Sequence, residues 1–117
     1  MKFLKNKQHQ IFFLITLIFL ILYSNLSLVN HYNFRTNAYD LGIFNQALYS
    51  YSHLKFQPNT IREVPNLLGD HFEPILIFFS PLKFIFGNYT LLIIQIIALL
   101  FGGFGVYLLL LKKTKNN

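Results

Sequence analysis

Apolar residues run from Ile11 to Leu22 with Thr16 as the one interruption, and the run extends through Tyr23, Ser24, Asn25 and Ser27 to Val29. An α-helix rises about 1.5 Å per residue, so residues 11–29 are just long enough to cross a hydrocarbon core of about 30 Å. The stretch reads as a retained transmembrane helix. A basic start, an apolar core and a polar last turn also describe a secretory signal peptide, although Ser24-Asn25-Leu26-Ser27 matches a small-residue cleavage site poorly. Residues 89–111 predict a second span: no charge falls within them, Thr90, Gln95 and a few glycines break the apolar run, and Lys112 and Lys113 end it. Within this span Gln95, Ala98, Gly102 and Gly105 recur at three- and four-residue steps and so share one helix face. In lipid, small residues let helix backbones approach and a glutamine amide seeks a partner, so this face predicts helix association. Ordinary tolerance of glycine in transmembrane helices is the other reading.

Residues 30–88 separate the spans. Leu41, Phe44, Leu48 and Tyr51 follow three- and four-residue spacing, with Ile43, Ala47 and Leu54 beside them, which predicts an amphipathic helix over about 40–54 lying along the membrane surface. Residues 55–69 hold Pro58, Asn59 and Pro65 without a period and read as a loop. From Phe72 to Phe86 the chain is apolar again, but Pro74, Pro81, Lys83 and the closing Gly87-Asn88 point to a short interfacial or re-entrant helix over about 74–86. The start of a longer second span is the alternative. The predicted fold class is therefore all-α membrane protein: two transmembrane helices and a loop carrying two short interfacial helices.

Composition supports lipid as the solvent. Of 117 residues 54% are hydrophobic and 12% charged, about half the charge of a globular chain. The net charge of +6 would invite a nucleic-acid reading if the basic residues were dispersed. Instead Lys2, Lys5 and Lys7 precede the first span and Lys112, Lys113 and Lys115 follow the second, while Arg35, Lys55, Arg62 and Lys83 balance Asp40, Glu63, Asp70 and Glu73 between them. Cytoplasmic flanks retain Lys and Arg, so residues 1–10 and 112–117 are expected in the cytoplasm and 30–88 outside, in a multi-pass protein of the cell membrane. Its partners are then membrane lipid and other helices, not nucleic acid. The absence of cysteine removes a disulfide framework, a thiol nucleophile and a zinc–thiolate site.

Two acids stand where helices are predicted to begin, Asp40 before Leu41-Gly42 and Asp70 before His71-Phe72-Glu73-Pro74. Aspartate is a favoured N-cap, which accounts for both positions without invoking function. A carboxylate held ionised at a helix N-terminus is equally suited to act as a general base on a hydroxyl or amine. His71 could be a base, a metal ligand or a phosphate contact, but His31, His53 and His71 with the loop acids show no known ligand spacing, and no metal is expected. Guanidinium groups match phosphate oxygens, and of the two loop arginines Arg35 is the weak phosphate-binding candidate while Arg62 reads more as a solvated charge.

The segments Phe34-Arg35-Thr36, Tyr39-Asp40-Leu41-Gly42-Ile43-Phe44-Asn45-Gln46-Ala47-Leu48 and Asn66-Leu67-Leu68-Gly69-Asp70-His71-Phe72-Glu73-Pro74-Ile75 together resemble the start of a predicted membrane protein family of unknown function, DUF2079. The resemblance covers roughly Phe34 to Lys113. That family in turn looks like the multi-spanning C-type (GT-C) glycosyltransferases, among them the protein O-mannosyltransferases and the aminoarabinose transferases of lipid A. The resemblance implies a polyprenyl-phosphate-linked sugar as donor, used on the outer membrane face, and no other firm cofactor. It implies Asp40 as general base, at the position of the acidic residue in the first external loop of those enzymes, with Asp70 and His71 in supporting roles. Asp70-His71 followed by Pro74 is similar to the D-x-H-P-P-L stretch of the mannosyltransferases, although here Phe72 and Glu73 intervene and Leu41 stands where a second acid often follows the first. Those enzymes build their donor groove from many spans, so this chain is expected to be an N-terminal fragment, inactive alone, or to join a separately encoded remainder through Gln95, Ala98, Gly102 and Gly105. A small non-catalytic two-span subunit, or a gene remnant, is the alternative.

Overall fold

The computed structural model describes residues 7–36 and 38–115; Lys2 and Lys5 of the basic flank, Asn37 of the motif before Tyr39, and Asn116 and Asn117 lie outside the described residues. Helix α1 (Lys7–Ser24) passes without a break into a π-helical turn (Asn25–Val29) and the short α2 (Asn30–Tyr32). The polar end of this run stays helical because its amides turn back on the backbone: Asn25 donates to the Ile21 carbonyl at 2.8 Å and Asn33 to that of Val29 at 2.8 Å. The run stops at Phe34, where φ is 56°, with the Phe34 amide donating to the His31 carbonyl and the Arg35 amide to that of Asn30. That paired 5→2 and 6→1 bonding satisfies carbonyls which a helix end otherwise leaves open.

Helix α3 (Ala38–Ser52) ends by the same device, with Leu54 at φ 54° and the Lys55 amide reaching the Ser50 carbonyl at 2.9 Å. Leu54, placed inside the helix by its spacing, therefore lies beyond it and is 88% exposed. The apolar face of α3 is covered by the chain itself. Leu48 is fully buried among Ile43, Ala47 and Tyr51, against Leu67 of α4 (Leu67–Asp70) and Leu76 of α5 (Ile75–Phe79). Residues 55–66 are pinned rather than loose: buried Asn59 donates to the Ile43 carbonyl at 2.8 Å, accepts from the Arg62 amide at 3.0 Å, and pairs its backbone with Val64. Asn66 caps α4 by accepting from the Leu68 amide at 2.8 Å, and the same oxygen accepts from the Tyr51 hydroxyl at 3.2 Å. Burial pushes the Tyr51 phenol above its usual range, which keeps the proton that this bond needs.

After α5 the chain continues through a 3₁₀ turn (Ser80–Leu82) into α6 (Lys83–Phe86), a 3₁₀ turn (Gly87–Tyr89) and α7 (Thr90–Lys115). Leu76 and Ser80 face α3, whereas Phe78, Phe84 and Ile85 are exposed. Gly87, at φ 55° and ψ −133°, turns the chain into α7, and the fully buried Thr90 fastens the turn by donating to the Gly87 carbonyl at 2.7 Å. Two helical runs, Lys7–Tyr32 and Ile75–Thr114, are long and apolar enough to cross a membrane, and the Gly87 turn divides the second into a part packed on α3 and a part packed on α1. Across the α1–α7 contact the Phe12 and Tyr107 rings stack with centroids 3.9 Å apart, and the Tyr107 hydroxyl is hydrogen-bonded to Nδ1 of buried His9. Gln95, Ala98 and Gly102 are exposed, and a methyl group added at Gly102 or Gly105 would meet nothing within 4 Å.

The backbone at Gly87 excludes a side chain more strictly than its surroundings do. Gly87→Ala should lower stability by about 1–3 kcal/mol, the usual cost of a residue forced into such a region. Thermal melting of the detergent-solubilised chain followed by circular dichroism checks this, with Gly102→Ala expected to melt no lower than the parent.

Candidate functional site

Asp40 is the third residue of α3, inside its first turn rather than at its cap, and its carboxylate makes no hydrogen bond or ion pair with any described residue. Asp70 corrects the expectation more sharply. It closes the four-residue α4, whose cap is Asn66, and α5 begins only at Ile75 behind Pro74. Asp70 is therefore no N-cap. Its position comes instead from Arg62 in the pinned loop, whose Nε donates to Asp70 Oδ2 at 3.0 Å, while His71 Nδ1 lies 3.0 Å from the same oxygen.

These groups face Asp40 across a cavity of about 100 Å³ whose walls include Tyr39, Asp40, Arg62, Asp70 and His71. The guanidinium beside Asp70 holds its carboxyl below the usual carboxylate range, and Asp70, followed by Tyr39, holds Arg62 above its own. Asp70 is thus an ionised partner already committed to Arg62 and His71, a poor acceptor for a proton and a good anchor for two side chains. Asp40 has no such commitment. On its other side lies a groove of about 460 Å³ with an apolar floor of Phe44, Leu76, Leu91 and Leu92, and with Asp40 and Glu73 both lining it. A carboxylate at the boundary between a polar cavity and an apolar groove can meet the polar head of an amphiphile whose chain follows the groove.

The structure thus brings Asp40, Asp70 and His71 together and adds Arg62, which read from sequence as a solvated loop charge. Arg35 is exposed and lines none of these walls; its backbone amide closes the end of α2. Among the described residues no three His, Asp or Glu side chains are grouped to hold a metal ion. Arg62 lies eight residues before Asp70, and only the fold of Asn59 onto α3 makes them neighbours. Pro58 and Asn59 before Arg62, and Pro65 between Arg62 and Asp70, were the available signal of a turn.

A family model described as a predicted membrane protein, DUF2079, matches residues 30–117. A comparison with curated proteins found no match, and a comparison with solved structures found none.

Because the folded-state carboxyl of Asp70 is depressed, its pairing supports the fold above the ordinary value of 3.8 and loses that effect as pH falls through the lower folded value. Asp70→Asn should therefore melt below the parent at pH 6, and the gap should close below about pH 4 and narrow in high salt, since both partners are solvent-exposed.

Proposed function

Because the chain belongs to the membrane protein family DUF2079, we propose that its loop forms, on the outer membrane face, the acceptor-activating edge of a glycosyltransferase-like site supplied by a polyprenyl-phosphate-linked sugar. The observation that carries this reading is the uncommitted Asp40 carboxylate between the polar cavity and the apolar groove. In the proposed reaction Asp40 removes the proton from an acceptor hydroxyl or amine. The freed oxygen or nitrogen then bonds to the anomeric carbon as the sugar–phosphate bond breaks and the polyprenyl phosphate leaves. Asp70, fixed by Arg62, orients His71 and keeps positive charge near the reacting centre without competing for the proton. Such enzymes build their donor groove from many spans, so further helices would complete the site, docking on the α7 face that carries Gln95, Ala98, Gly102 and Gly105. The chain alone would then be inactive.

The same open face favours a second reading, a non-catalytic membrane subunit, because an exposed amide in lipid needs a partner whether or not chemistry follows. Asp40→Asn separates the two. In membranes where the remaining spans are supplied by co-expression, the variant should turn over a polyprenyl-phosphate sugar at least about 100-fold more slowly than the parent, the usual loss of a general base. An unchanged rate in a folded Asp40→Asn protein rules out the base and leaves the subunit reading.

The proposed orientation is tested independently of activity. The chain has no cysteine, so Leu54→Cys, at an exposed position, should react with a membrane-impermeant maleimide in intact cells, whereas Asn117→Cys should react only after permeabilisation. The reverse pattern would place the loop in the cytoplasm.

A further inference from the structure

On the face of α3 away from Asp70, a second pocket of about 250 Å³ opens between the ends of the two spans, lined by His31, Phe34, Thr36, Leu41, Asn45 and Asn88 among others. Among the described residues no carboxylate lines it. Behind it the Lys83 ammonium donates to Asn88 Oδ1 at 2.8 Å and to Asn45 Oδ1 at 3.1 Å. Lysine offers only donors, so both asparagines must turn their oxygens toward it and their NH₂ groups away. The Asn45 NH₂ reaches the Asn88 carbonyl only weakly, at 3.4 Å, and that of Asn88 makes no hydrogen bond with any described residue. His31 Nδ1 pairs with the Thr36 hydroxyl at 3.1 Å, and its ring is held edge-on by Tyr89 with centroids 4.9 Å apart.

We propose that this pocket binds a phosphate group, with the Asn45 and Asn88 amides as donors and Lys83 as the positive charge behind them. An anion selects the His31 tautomer that carries its proton on Nε2, with the Thr36 hydroxyl donating to Nδ1. Depth identifies the source: His31 closes the first helical run and Asn88 precedes the first turn of α7, which is the level of lipid headgroups in a bilayer that both helices cross. Phe34 and Leu41 give the pocket apolar walls for the carbons next to the phosphate. The pocket and the Asp40 groove share Thr36 and Leu41 as a common wall. The site deepens the transferase reading by placing the phosphate end of the ligand beside the base, and its binding does not require Asp40.

The test uses the full chain in dodecyl maltoside micelles containing phosphatidic acid or, as control, diacylglycerol, with retained lipid read by native mass spectrometry. The expected result is retention of phosphatidic acid over diacylglycerol, at least tenfold weaker in Lys83→Met and in Asn88→Asp. The aspartate keeps an oxygen on Lys83 and so preserves the fold, but replaces the outward NH₂ with a negative oxygen. Retention is read without sugar donor or turnover, so a failed transferase assay leaves the pocket standing. Inorganic phosphate, titrated by ³¹P NMR, separates sources: binding there at similar strength and lost in Asn88→Asp supports the pocket with a free anion as its ligand. Equal retention of phosphatidic acid and diacylglycerol, or unweakened retention in a folded Asn88→Asp, overturns the proposal.

Discussion

The apolar face of α3 needs a cover, and the way residues 55–91 supply it fixes almost everything else outside the two spans. Leu48 and Tyr51 are buried in a cluster that Leu67 and Leu76 complete, with the partly buried Leu91 packed against it from a third segment. Fully burying a leucine is worth about 1.5–3 kcal/mol, so each of these contacts helps to hold a loop that has no cysteine to cross-link it. Once α5 is held on α3, Phe78 of α5 and Ile85 of α6 are left exposed, and the chain turns at Gly87 into α7.

Electrostatics then divides two carboxylates that look alike in sequence. Asp70 is satisfied twice on one oxygen and held ionised, and its effect is positional. Asp40, across the cavity, makes no hydrogen bond or ion pair with any described residue. Asp40 is solvent-exposed at the edge of an apolar groove, where its carboxylate is open to a ligand, and that makes it the residue to ask about.

Much of this was legible in the residues. The two apolar runs announced the membrane-crossing helices, because lipid demands uninterrupted apolarity over a fixed length, and the three- and four-residue spacing of Leu41, Phe44, Leu48 and Tyr51 announced α3. What covers α3 was hidden, since an apolar stripe is the same whether lipid or protein lies against it. Helix ends were hidden too: Phe34 and Leu54 adopt a left-handed backbone that usually signals itself through glycine. Asp70 misled because a carboxylate before an apolar run fits a cap, and Asn66, four residues earlier, takes that role with a better geometry. Arg62 was undervalued because its partner is set by the tertiary placement of Asn59, not by spacing.

The π-helical turn at Asn25–Val29 has a geometric consequence for everything after it. Such a turn accommodates one residue more than the α-helical ladder, and each residue of an α-helix advances about 100° around the axis. The extra residue therefore acts as a phase shifter between the lipid-embedded part of the first helix and its final turn. His31 lies beyond that turn and meets the edge of Tyr89, so the angular setting of the helix end that leads into the loop is fixed within the helix itself.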